Sequence, residues 1–176
     1  KLGKIRTNAT IYGFELIPRT VSQPTKLKPI PEEMKVVRLV YDLYLGKCKD
    51  VEYRRLGSRQ IKNYLEKLGV VTRVKTTKDG KIIGGKPFSI SSIKRMLTNE
   101  KYCGDVLGQK TFTESVIGGK IRKNTGQLPQ VLVQNNHPGM VTREMYYAVQ
   151  EEMKRRTSAR SPSDKSSTGR TCYASK

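Results

Sequence analysis

Tryptophan is absent, histidine occurs once, at His137, and the three cysteines, Cys48, Cys103 and Cys172, lie far apart with no Cys-x-x-Cys pair. Zinc sites need clustered Cys and His, so none is legible; no disulfide framework is laid out either, and a reducing compartment is the expectation. Nucleophilic catalysis needs an activated Ser, Cys or Thr near a base, but His137 precedes Pro138 and is far from any Gly-flanked serine. It reads as a turn or capping residue. Gly84-Gly85-Lys86 lacks the spacing of a phosphate-cradling loop, and the scarce acids sit mostly at helix starts or beside lysines, which gives no two-metal nuclease pattern. No apolar run approaches the roughly 18 residues of a membrane span and no signal-peptide pattern opens the chain, so a cytoplasmic, membrane-free protein is expected.

What is present is positive charge. Lys and Arg number 35 against 15 Asp and Glu in 176 residues, a net +20. Such a chain suits a polyanionic partner, although solubility-driven and secreted basic proteins carry similar charge. Its placement is uneven. Residues 58–100 hold ten cations and three anions and residues 1–30 hold six and one, whereas 31–57 are nearly balanced at six and five. The length allows one well-cored domain with appendages, and no repeat period is visible. An opening at Lys1 and a polar end suggest a piece of a longer protein.

Within the cationic region, residues 86–104 read KPFSISSIKRMLTNEKYCG. Ser89 is the expected N-cap, and Ile90, Ile93, Met96 and Leu97 form one apolar stripe at helical spacing. Opposite it, at 100° per residue, fall Ser91, Arg95, Thr98 and Asn99, with Ser92 and Lys94 on the flanks. These are side chains that reach base edges and phosphates from a helix in the major groove, so a DNA recognition helix is one reading and a solvated surface helix the other.

Around this stretch the pattern predicts an α+β chain: a helix-turn-helix-like bundle with a small antiparallel sheet and a C-terminal helix. Residues 1–30 form a basic arm and a short strand in IYGFELI, with Lys1, Lys4 and Arg6 able to follow a backbone or enter a minor groove, or simply to fray. Pro31 opens a core helix over about 31–46, with Glu32 and Glu33 in its first turn and Gly46 as its end. A second helix, about 58–68, has Ser58 as N-cap, Gly69 as stop, Ile61, Tyr64, Leu65 and Leu68 inward and Arg59, Lys62 and Lys67 outward. The third is the 89–98 helix. Between the second and third, Asp79-Gly80 marks a hairpin whose Arg73, Lys75, Lys78, Lys81 and Lys86 are available for phosphates; a mobile charged loop is the alternative. Alternation of period two marks a β region over about 104–136, with a basic loop at Lys120, Arg122 and Lys123. A last helix, about 142–156, has Thr142 as N-cap and Met145, Val149 and Met153 inward. Residues 157–176, nine of them Ser or Thr, read as a flexible linker.

Five blocks in order, IYGF, IPEEMKVVRLVYDLYL, GSRQIKNYLEKLGV, GKPFSISSIKRMLTNEKYCGDV and HPGMVTREMYYAVQEEM, resemble the recombinase domain of the large serine recombinases, the phage-integrase and transposon type. The resemblance covers residues 11 to about 156. It implies a DNA-binding module over 31–156 that recognises part of an attachment half-site in double-stranded DNA without cleaving it, cofactor-free and monomeric in isolation. It also implies a parent serine site-specific recombinase with a catalytic domain upstream and a zinc ribbon downstream. The reading from another class is a general RNA-binding or ribosome-associated basic protein. Against it stand three Phe and no Trp, and for it nine Tyr that could stack bases.

Overall fold

Four helices and four antiparallel two-stranded ribbons make up the computed structural model, which describes residues 11–17, 25–77, 79–114 and 119–159. Helix α1 (Pro31–Leu45) starts on a proline at its first position, carries Glu32 and Glu33 in its first turn, and ends at Gly46 with φ 73°. Its Val37, Val40, Tyr41, Leu43 and Tyr44 are buried, so it is the central strut, packed on the other three helices. Helix α2 (Ser58–Lys67) is followed by Gly69 at φ +68°. Its N-cap is Gly57, not Ser58: the Gln60 side chain accepts the Gly57 amide proton at 2.8 Å and the Gly57 carbonyl accepts from Ile61, which draws Ser58 into the first turn. Helices α3 (Ile90–Thr98) and α4 (Arg143–Ser158) carry the expected caps, Ser89 accepting from Ser92 and Thr142 from Met145.

One core joins all four helices. Val37, Val40, Tyr41 and Leu43 of α1, Ile61 and Leu65 of α2, Ile93 and Leu97 of α3, and Val149 of α4 have no exposed area. Burial of this kind contributes about 1.5 to 3 kcal/mol per large aliphatic side chain, which explains why the helical spacings were readable.

The β content is dispersed. Strand β1 (Phe14–Ile17) pairs with β2 (Lys26–Pro29), and β3 (Lys75–Thr76) with β4 (Ile82–Ile83) around the Asp79-Gly80 turn. In the 104–136 region β5 (Val106–Leu107) pairs with β8 (Leu132–Val133), and β6 (Thr111–Thr113) with β7 (Ile121–Lys123). The expected strands are there, but in two ribbons, and Arg122 and Lys123 lie within β7.

Two glycines fix how the ribbons join the helices. Gly13 has φ +94°, and a Cβ there would sit 2.6 Å from Met140 Cε; Gly104 has φ +91°, and its Cβ would sit 2.6 Å from the His137 carbonyl oxygen. Only glycine fits either place. His137 sits in a bend with its ring on a carbonyl of the 3-10 turn at Glu100–Cys103, as a turn or capping residue would, but it is buried as well. It is 8% exposed, lies edge-on to Phe14 with ring centroids 5.1 Å apart, and its Nε2 is 2.6 Å from the Lys101 carbonyl. Beside it, buried Asp105 is bound by Arg143 through both carboxylate oxygens. Burial of the carboxylate acts against ionisation, but the Arg143 guanidinium and the Asn135 amide hold Asp105 below the usual carboxylate range.

Candidate nucleic-acid interface

Helix α3 is short and has no left-handed cap, because Asn99 at its end is extended, with φ −88° and ψ 114°. Its last carbonyls need donors from elsewhere. Neighbouring helices supply them: Tyr41 of α1 donates to the Met96 carbonyl at 3.0 Å, Gln150 of α4 to Leu97 at 2.7 Å and Tyr146 of α4 to Thr98 at 3.2 Å. With Ile93, Met96 and Leu97 buried, the helix is held from behind on three hydrogen bonds. That geometry turns Ser91, Lys94, Arg95 and Thr98 outward, and all four are exposed.

The sequence-derived contact residues divide into free and engaged groups. Among the described residues, Lys94 and Arg95 of α3 have no ion-pair partner, nor do Arg59, Lys75, Lys81 and Lys86. The Ser92 hydroxyl lies 2.9 Å from the capping Ser89 hydroxyl, Thr98 donates to the Lys94 carbonyl, and Asn99 accepts from the Lys101 amide. These three stiffen the helix ends as well as facing outward. Lys62 pairs with Glu66. Arg73 departs furthest from expectation. Its guanidinium grips the Glu33 carboxylate and donates to the Phe14 carbonyl, while Glu33 also accepts from the Gly13 amide. Its charge is compensated inside the fold, and it ties the hairpin root to β1 and α1 instead of standing free for phosphate. Lys1, Lys4, Arg6 and Lys78 lie outside the described residues.

A cleft of about 530 Å³ opens between α3, the hairpin and the segment leading into β1. Ser92, Arg95, Thr98 and Asn99 line one side, and Arg73, Lys75, Lys101 and Lys110 complete the charged lining, with no Asp or Glu among the lining residues. Ile11, Tyr12, Phe88, Met96 and Tyr102 make its floor, where Tyr12 and Phe88 meet edge to face at 4.9 Å and Tyr102 donates to the Tyr12 carbonyl. Burial pushes the Lys101 amine below the ordinary lysine range, with Lys110 adding to the effect and Glu100 opposing it. Burial, helped by Arg73, does the same to Lys75. Sequence reasoning missed Lys101 and Lys110. They follow the helix, and only the 3-10 turn at Glu100–Cys103 and the start of the β region bring them to its side.

Several of the acids are taken up in ion pairs, two of which, Glu33 with Arg73 and Glu100 with Lys110, involve cations that line the cleft. Glu152 holds Arg55, Arg155 and Arg156 at 2.7 to 2.9 Å; above all the hydrogen bonds from Arg155 hold its pKa down at about 2. Glu100 holds Lys110 and the Leu107 amide. Among the described residues, Lys94 and Arg95 of α3, Lys75, Lys81 and Lys86 of the hairpin and Lys101 of the cleft have no ion pair, and the same holds for cations elsewhere such as Lys26, Lys28, Lys47 and Lys154.

A sequence model described as Recombinase matches residues 31–156. Among solved structures, a chain from the crystal structure of an LSR-DNA complex is 21% identical with a TM-score of 0.54, over 95% of this chain and 38% of that one. A chain from work on the sequence requirements of the Listeria innocua prophage attP site is 23% identical with a TM-score of 0.52, over 87% of this chain and 46% of that one. This chain therefore spans less than half the length of either, and at these identities the likeness speaks for the α+β fold. The family match covers most of the chain, from the first residue of α1 to Arg156 in the last turns of α4, and on it the chain belongs to the Recombinase family.

Proposed function

We propose that this chain is the double-stranded DNA-binding domain of a serine site-specific recombinase, reading part of an attachment half-site with α3 while the strand chemistry belongs to a catalytic domain of the parent. The observation that carries the reading is the pairing of an outward cationic helix face with a carboxylate-free cleft beside it. A rigid helix presenting Ser, Lys and Arg suits the major groove, and unpaired lysines to its side suit phosphates. The similar solved structures include one described as a DNA complex. The ribbons offer no aromatic platform for single-stranded RNA: Phe14 is buried and Phe112 is partly buried, and base stacking needs exposed rings. The isolated chain acts as a monomer, and its partners are duplex DNA and the catalytic and zinc-ribbon domains of the parent.

Selection from a random-core duplex pool, followed by anisotropy titration at moderate salt, tests this. A recovered consensus that outcompetes both random duplex and single-stranded RNA is expected. Equal affinity for the selected and random duplexes would remove the claim of sequence reading, and preference for RNA would replace it with the RNA-binding alternative.

A further inference from the structure

The cleft beside α3 has a feature that base reading does not use. Lys101 is half-buried, and its backbone is fixed at both ends, the amide by the Asn99 side chain and the carbonyl by His137. Its amine has no anionic partner among the described residues. The acid that acts on it, Glu100, is committed to Lys110. A partly desolvated cation without a counter-charge is unfavourable unless a ligand supplies one. Lys75 lines the same cleft in the same condition, and below them lies the apolar floor. A small hydrated anion has no use for that floor, whereas a phosphodiester carries a deoxyribose that does.

We infer that this cleft is a seat for one phosphodiester of the DNA backbone, with Lys101 and Lys75 on the phosphate and the attached sugar against the partly exposed Ile11 and Tyr12. The seat rests on the proposed DNA reading and deepens it. It fixes the register of α3 on the duplex from its C-terminal side and carries no base identity. Lys101 touches the phosphate directly in this arrangement.

The test uses the full chain and its selected duplex, titrated across salt, with Lys101→Ala, Lys101→Arg and, as a distant control, Lys154→Ala. Lys101→Ala should lower the salt slope by about 0.9, so that its deficit against the wild type shrinks about 3.5-fold between roughly 50 and 200 mM salt. Base preference should not change, and Lys101→Arg should restore the slope. In duplexes with a single methylphosphonate at successive positions, one position should weaken the wild type and leave Lys101→Ala unaffected. Thermal unfolding of Lys101→Ala should be no earlier than that of the wild type, which separates a ligand-facing role from a structural one. Duplex binding by Lys101→Ala with unchanged slope and unchanged methylphosphonate sensitivity overturns the seat and leaves the DNA reading intact. A wild type that does not bind duplex overturns both. Displacement of the duplex by inorganic phosphate beyond chloride at matched ionic strength would make the site a plain anion site and overturn the sugar contact.

Discussion

Replacing Arg95 with alanine should separate base reading from backbone attraction. Arg95 is exposed on α3, one turn on from Ser91, and among the described residues its guanidinium makes no hydrogen bond or ion pair, the Thr98 hydroxyl reaching only its backbone carbonyl. Its loss therefore orphans no partner, and alanine is at least as good a helix former, so folding stability should stay within about 0.5 kcal/mol of wild type. Binding should respond differently. A bidentate guanidinium on guanine O6 and N7 is worth about 1 to 3 kcal/mol of discrimination, or about 5- to 150-fold at one base position. Lys81→Ala, on the exposed hairpin beside Gly80, should weaken selected and random duplexes alike and lower the salt slope by about 0.9. The assay is an anisotropy titration of both variants on selected, single-base-changed and random duplexes over a salt series. If Arg95→Ala weakens all duplexes equally while Lys81→Ala flattens a base preference, α3 is not the reader and the hairpin is.

Three further outcomes follow from the packing behind the interface. Tyr41→Phe leaves the Met96 carbonyl without its buried donor, so it should cost about 1 to 3 kcal/mol in urea unfolding, whereas Tyr64→Phe, whose hydroxyl makes an exposed 3.4 Å contact to Asp50, should stay within about 0.5 kcal/mol. Burial holds His137 below the ordinary imidazole value of 6.5, so the folded chain binds fewer protons there than the unfolded one. Its contribution is complete above that value and is lost as pH falls below it: the urea midpoint should drop between about pH 7.5 and 5.5 in the wild type and drop less in His137→Gln. Glu33→Gln frees the Arg73 charge and weakens the hold on the Gly13 amide; it should lower thermal stability while raising affinity for random duplex at low salt, and unchanged values on both counts would refute the compensation assigned to this pair.

The helices were legible because each carries its own stripe, and α1 and α2 a glycine stop as well, although Leu68, expected inward, is exposed. Ile61 and Leu65, or Ile93 and Leu97, announce a buried face by spacing alone, and Gly46 and Gly69 adopt the left-handed geometry their positions implied. The hairpin was legible for the same local reason, an Asp-Gly turn between β-prone runs. Strand β2 was not. Its KLKP has two lysines and a proline, and it is a strand only because β1 pairs with it. The site was half legible. The outward face of α3 followed from periodicity, but the fate of each cation depended on acids distant in sequence: Glu33 compensates Arg73 across 40 residues, and no spacing rule identifies such a pair. The turn position of His137 was legible but its burial was not, because that comes from Phe14 and the Lys101 carbonyl, both remote along the chain.

The way α3 is anchored has a consequence for how such a domain can be retargeted. Tyr41, Gln150 and Tyr146 hold the helix by its backbone carbonyls, groups that every residue type possesses, and not by the side chains that face outward. Positions 91, 94 and 95 therefore do nothing for the fold that another helix-forming residue would not do. On the proposed reading of α3, new combinations at those three places would leave the anchoring of the helix backbone unchanged, so a library confined to positions 91, 94 and 95 should yield folded variants whose target preference differs.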